Sequence, residues 1–338
     1  MRLPWFRYQA PRSIPEAARI LAAEGSDAML IAGGTDLLPN MKRRQQTPRT
    51  LVSLRQVDEV KKVRNGNGLT LGSGLTLTEL VRLDTVRDQY RGLWQAASQV
   101  ATVHLRNMGT LGGNLCLDTR CSYYNQNYEW RKAIDFCMKR DGEICWVATA
   151  SKRCVATSST DCAPALISLG AKVRVASSAG ERELLLADLY RNDGIDYLTR
   201  RADEILTEVM LPDARSWRST YWKLRRRGAF DFPVLSVAAA AKLAPDGTVE
   251  EARIALGAVS SHPFLTRAGD FLVGKQLIDE VIAEAGAIVA SRAKPMDNAD
   301  FDVYWRKHVV GEFVAYALRE VRGDDMSAVR RRIARLAL

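Results

Sequence analysis

Cys116, Cys121, Cys137, Cys145, Cys154 and Cys162 are the only cysteines of this 338-residue chain, and all fall in one stretch. In a reducing compartment, thiols crowded in this way mark metal or redox ligands rather than disulfides. Unrelated buried thiols are the plain alternative. Just ahead of the first, RNMGTLGGN places Thr110, Gly112, Gly113 and Asn114 in one turn. An earlier stretch, IAGGTDLLP, repeats the arrangement with Gly33, Gly34 and Thr35. Glycine pairs remove side chains where backbone can approach a ligand, and the amides that follow can face an anion. Two such turns in one domain suit a pyrophosphate gripped from both sides. Neither is a Rossmann fingerprint or a Walker loop, because GxGxxG and GxxxxGK[ST] are both missing. A nucleotide here needs another fold.

The elements that must position these groups can be read in order. Ser13 followed by IPEAARILAAEG predicts a capped amphipathic helix ending at Gly25, and AMLIAGGTDLL a buried strand breaking into the first glycine turn. Short strands with glycine turns run from LVSLRQVDEV through GLTLGSGLTLTEL, then a helical stretch over 78–101. Residues 117–157 keep no period and are rich in polar and aromatic residues; a loop this long needs something to organise it. CAPALISLGAKVRVAS reads as helix then strand, and ADEILTEVMLP closes the unit near Pro212. YWKLRRR, FPVLSVAAAAKLA and ARIALGAV then predict a small antiparallel sheet, with helices from about Ala268 onward.

The composition, 47% hydrophobic and 26% charged, is that of a soluble globular protein. The start MRLPWFRYQAPRS has no apolar signal core and no run reaches a membrane span, so the expected location is the cytoplasm, with no membrane partner. A net charge of +10 raises nucleic acid as a partner. The basic residues are mostly dispersed, with runs only at Lys42–Arg44, Lys223–Arg227 and Arg330–Arg332, and no nucleic-acid-binding pattern accompanies them. AVRRRIARLAL at the end reads as a basic amphipathic helix.

AGGTDLLP, RNMGTLGGN, TDCAPALISLGAKV and AFDFPVLSVA, in this order, resemble the FAD-binding medium subunits of the xanthine oxidase and carbon monoxide dehydrogenase family of molybdenum hydroxylases. The resemblance covers nearly the whole chain. It implies an α+β fold: a two-subdomain FAD-binding domain of the PCMH, or vanillyl-alcohol-oxidase, type over 1–215, and a carbon monoxide dehydrogenase flavoprotein-like domain over 219–330. By the same resemblance Ile31, Ala32, Gly33, Gly34, Thr35, Asp36, Leu37 and Leu38, with Thr110, Gly112, Gly113 and Asn114, bind the FAD diphosphate and ribityl chain. Asp161 falls near the adenosine half, Leu206 packs on the flavin, and Lys223 lies at the flavin ring. A surface lysine is the simpler reading of Lys223.

Family members run almost directly from the GGN turn to the next helix, so residues 117–157 are an insert. Cys121, Cys137, Cys145 and Cys154 lie within it, separated by 15, 7 and 8 residues. Four thiolates are the ligand set of a 4Fe-4S cluster. Zinc is the rival, although zinc sites usually include a tight CxxC-like pair. Cys116 and Cys162 belong to the scaffold and serve as packing. The stretch LCLDTRCSYYNQNYEWRKA resembles the reductive, ferredoxin-dependent branch of the family most closely. That resemblance implies a large molybdenum subunit and a small 2Fe-2S subunit as partners, in a dimer of heterotrimers. A basic surface would suit an acidic ferredoxin. The chain would carry electrons and no catalytic residue, so His104, His262 and His308 are given no role. The alternatives are an oxidising member of the family with an extra cluster, and a zinc-containing basic nucleic-acid-binding protein.

Overall fold

The computed structural model describes residues 2–335. Ser13 caps the helix Ile14–Glu24 by accepting from the Glu16 amide, Pro15 sits in its first turn, and Gly25 ends it at φ +56°. The helix packs its Ala17, Ala18 and Leu21 face on a three-stranded parallel sheet of Arg7–Gln9, Thr50–Ser53 and Ala28–Ile31, in which Thr50–Ser53 is central. The predicted helix and the strand after it are both present.

A second sheet has five antiparallel strands in the order Val63–Gly66, Gly68–Gly72, Ile205–Leu211, Lys172–Ser177, Gly180–Leu185. The helical stretch read over 78–101 is three short helices, Leu77–Arg82, Asp84–Gln89 and Arg91–Ser98. Thr76 and Glu79 form a capping box on the first, which satisfies amides that would otherwise lack partners. The last 12 residues of TDCAPALISLGAKV supply the helix Cys162–Ser168, every residue of which is buried, and the start of the strand Lys172–Ser177.

Trp217–Leu224, Leu235–Leu243, Val249–Gly257 and Phe264–Thr266 form the third sheet, antiparallel throughout. One face packs on the helices Asp279–Arg292 and Val303–Arg322 through Val237, Ala239 and Ala241. The other face is not left to solvent. Ala238, Ala240 and Ala255 join the main core with Leu166 and Cys162. This explains the run of alanines at 238–241: a strand buried on both faces loses its polar alternation, and small side chains admit a close helix. Helix Ser327–Arg335 follows, and the end of the basic AVRRRIARLAL segment lies outside the described residues. Among the described residues, no helix is long and apolar enough to cross a membrane.

The insert carries one short helix, Tyr128–Ala133, and is otherwise irregular. Its neck is closed by paired backbone hydrogen bonds, Arg120 N to Thr157 O at 2.8 Å and Thr157 N to Arg120 O at 2.7 Å. Buried ionic anchors organise the rest. Lys139 reaches Asp118 at 2.8 Å with both side chains 5% exposed, and Arg131, fully buried, donates to the Arg43 carbonyl at 2.8 Å. Asn298 of the C-terminal half clamps the insert by accepting from the Ser122 amide and donating to the Val155 carbonyl at 2.6 Å.

Candidate functional site

A cleft of about 920 Å³ opens where the first sheet, the GGN turn, the insert neck and the loop 230–234 meet. Ile31, Ala32, Gly33, Gly34, Thr35, Asp36 and Leu37 line it, as do Thr110, Gly112, Gly113, Asn114, Asp161 and Leu206. Two expected residues are not on its wall. Leu38 turns into a satellite core with Met41 and Leu51. Lys223 is fully buried and ion-paired to Asp161 at 3.0 Å, while Asp161 also accepts from the Tyr221 hydroxyl at 2.7 Å. Lys223 is thus neither a surface lysine nor a free cation at the cleft. Asp161 and Lys223 also touch, whereas the roles implied for them lie at opposite ends of an extended FAD. Burial pulls the Lys223 ammonium below its ordinary value, against the opposing pull of Asp161.

The two glycine turns differ. The amides of Gly33, Gly34, Thr35 and Asp36 donate to no acceptor among the described residues, and all four residues face the cleft. In the second turn the donors are taken: Leu111 by the Leu75 carbonyl, Gly112 by Ser73 at 2.7 Å, Gly113 by the Thr110 hydroxyl at 3.1 Å, and Asn114 by the Thr110 carbonyl. The expected pair of nests is therefore one row of free donors facing a turn that offers close approach. Glycine is required at the first turn by the second: a Cβ on Gly33 would lie 1.9 Å from the Met108 carbonyl oxygen. A Cβ on Gly113 meets only the Thr110 hydroxyl at 3.0 Å, because that position opens into the cleft.

The charge on the wall suits an anion. Its carboxylates are each matched: Asp36 with Arg120, Asp118 with Lys139, Asp161 with Lys223, Asp231 with Arg227 and Asp300 with Arg226. Arg43 and Arg200 also line the cleft and have no carboxylate partner among the described residues. Leu77, Leu105, Leu206, Phe230 and Phe232 provide apolar wall for a planar ring. Free amides, two uncompensated guanidiniums and an apolar end fit a dinucleotide such as FAD. The sequence reading missed Arg43, Arg120, Arg200 and the two phenylalanines as cleft residues. Phe230 and Phe232 stood in the AFDFP segment, and Arg43 in a basic run, where only the fold could orient them.

All six cysteines are free. Cys121, Cys137 and Cys154 are buried in one small cluster with Tyr124 and Ala156, and Cys145, also buried, lies close enough to act electrostatically on Cys154. Burial pushes the Cys121 thiol up to about 12 and the Cys154 thiol up to about 11. Backbone amides of Tyr123 and Tyr124 point at the Cys121 sulfur, and the Ala156 amide donates to Cys154 Sγ at 3.4 Å. Such N–H···S bonds stabilise ligating thiolates. Among the described residues no three His, Cys, Asp or Glu side chains gather closely enough to hold a single metal ion. A four-iron cluster keeps its thiolates further apart than the ligands of one ion. Arg120 and Ser122, on either side of Cys121, both line the cleft, so the thiol pocket adjoins it. Cys162 is wholly buried in the main core, as expected of a packing residue, and its amide donates to Asn114 Oδ1 at 3.0 Å. Cys116 packs against the same core and, being half-buried, also borders the cleft.

The exposed ionisable residues of the insert are Glu129, Asp135, Asp141 and Glu143 against Lys132, Lys152 and Arg153. The positive charge expected to attract an acidic donor is not concentrated there. Tyr128, Trp130, Ile144 and Trp146 are exposed instead.

Comparison with known proteins places the chain in a class. Residues 4–214 match the family described as the FAD binding domain in molybdopterin dehydrogenase, and 219–321 the CO dehydrogenase flavoprotein C-terminal domain. The chain belongs to this family of FAD-binding medium subunits of molybdenum hydroxylases. It is 33% identical to the aldehyde oxidoreductase FAD-binding subunit PaoB of Escherichia coli, over 92% of this chain and 98% of that one. It is 27% identical to the nicotinate dehydrogenase FAD-subunit of Eubacterium barkeri, over 90% and 92%. Among solved structures, quinoline 2-oxidoreductase from Pseudomonas putida 86 superposes with a TM-score of 0.76 at 26% identity, covering 95% of this chain and 98% of that one. Family membership replaces the nucleic-acid-binding alternative.

Proposed function

We propose that this chain is the FAD- and 4Fe-4S-bearing medium subunit of a molybdenum enzyme, and that the insert is the port through which electrons enter or leave. The observation that carries this reading is the burial of Cys121, Cys137 and Cys154 in one cluster with Cys145 near Cys154, flanked by residues that also line the cleft. FAD in the cleft would exchange electrons singly with iron-sulfur centres and in pairs overall. The chain's own part is to hold both groups. The amides of Gly33–Asp36 with Arg43 and Arg200 would hold the diphosphate, Gly113 would allow close approach, and Leu206 with the phenylalanines would flank the ring. Substrate chemistry falls to a large molybdenum subunit, with a small 2Fe-2S subunit between.

Two directions of flow give two particular enzymes. The likeness of the insert to that of 4-hydroxybenzoyl-CoA reductase supports inward flow. Ferredoxin would then supply two electrons which, with two protons, remove the phenolic hydroxyl as water and leave benzoyl-CoA, a reaction of anaerobic aromatic degradation. The aromatic rather than basic face of the insert would have to receive that donor. The near full-length similarity to an aldehyde oxidoreductase FAD-binding subunit supports outward flow from an aldehyde. The anaerobically purified complex tests both. Flavin bands with a broad iron-sulfur shoulder and four iron per chain are expected, and a spectrum without the shoulder defeats the cluster. Flavin bleached by an aldehyde alone selects outward flow; flavin bleached by reduced ferredoxin and restored by 4-hydroxybenzoyl-CoA selects inward flow.

A further inference from the structure

Arg120 belongs to the insert yet also lines the cleft. The paired backbone bonds to Thr157 fix its main chain at the insert neck, one residue before Cys121. The side chain, 7% exposed, runs to the first glycine turn, where it forms an ion pair with Asp36 and donates to Asn40 Oδ1 at 3.3 Å. Its guanidinium carbon lies over the Phe232 ring, 4.7 Å from the ring centre. Nε makes no hydrogen bond among the described residues, and Nη2 meets Asp36 as a charge without hydrogen-bond geometry. A buried cation with unused donors is costly unless an anion completes it.

The free amides of Gly33–Asp36 stand on the same wall. We propose, on the reading that the cleft holds FAD, that Arg120 is a ligand of the FAD diphosphate and neutralises Asp36 beside it. A guanidinium can meet two phosphate oxygens at once through its fork of donors. Without it, the Asp36 carboxylate would face the diphosphate unshielded. The insert thus serves the flavin site as well as the thiols, because the residue before its first cysteine completes the cradle.

The test uses the full chain stripped of FAD, with binding followed by flavin fluorescence for FAD and for riboflavin, which has no phosphate. Arg120→Gln should weaken FAD about 10- to 150-fold, the worth of a hydrogen bond to a charged group, and leave riboflavin unchanged. Arg120→Lys, which keeps the charge but not the fork, should fall between. Circular dichroism and iron content show whether each variant keeps its fold and its cluster. FAD affinity within about twofold of the parent chain, or equal losses for FAD and riboflavin, would overturn the proposal and make Arg120 a clamp between insert and cleft. Failure of the parent chain itself to bind FAD would sink the flavin reading and this proposal together.

Discussion

Replacing Gly113 by valine separates the cofactor role of the GGN turn from its role in the fold. The position lies in the helical turn Leu111–Leu115, where a Cβ meets only the Thr110 hydroxyl at 3.0 Å. In a helix, replacing glycine by alanine gains about 1 kcal/mol, which offsets the small shift Thr110 must make. Gly113→Ala should therefore melt at or slightly above the parent's temperature. Valine adds two methyl groups pointing into the cleft. Overpacking of that kind costs about 1–3 kcal/mol, or about a five- to 150-fold rise in the FAD dissociation constant. Titration of the flavin-free chain with FAD, beside a thermal melt of the same sample, reads both quantities. Unchanged FAD affinity in Gly113→Val would refute the assignment of this turn to the cofactor. Gly33→Ala should behave in the opposite way, lowering the melting temperature even without FAD, because its Cβ would collide with the Met108 carbonyl.

Serine at Cys121, Cys137, Cys145 or Cys154 should abolish the iron-sulfur absorption, whereas Cys116→Ala and Cys162→Ala should keep four iron per chain; iron analysis decides which thiols are ligands. Asp161→Asn leaves the fully buried Lys223 ammonium uncompensated and should cost about 3–5 kcal/mol in urea unfolding, while a loss below about 1 kcal/mol would mean that other groups already satisfy Lys223. The same variant has a signed pH dependence. With the Lys223 ammonium depressed in the folded state, the unfolded chain binds more protons between the two values, so stability should rise as pH climbs toward the unfolded value of about 10.4. A flat profile there would mean that the folded chain holds the Lys223 proton as tightly as the unfolded one, and would count against the depression.

Much of the fold was legible because local signals agreed with it. Ser13, Pro15 and Gly25 bound a helix by capping rules alone, and the strand patterns from Tyr221 onward needed no partner to be recognised. The crowding of cysteines and the two glycine turns likewise stood out from residue type and spacing. Symmetry misleads at the two turns, whose similar text predicts two similar sets of donors. Hydrogen bonding to Ser73, Leu75 and Thr110 uses up the amides of the second turn, and those acceptors are remote in sequence or invisible to spacing.

Sequence alone determined the elements and the order of the motifs, because these depend on neighbours a few residues apart, whereas the thiol-rich insert was legible only against the family resemblance. Tertiary structure decided which charges are free. Lys223 and Arg120 look alike as basic residues in the text, but one is buried against Asp161, 62 residues away, and the other is carried by the insert neck to the wall beside Asp36. Charge becomes function only when its partners are known, and those partners are brought together by the packing of the insert and the C-terminal sheet on the first domain.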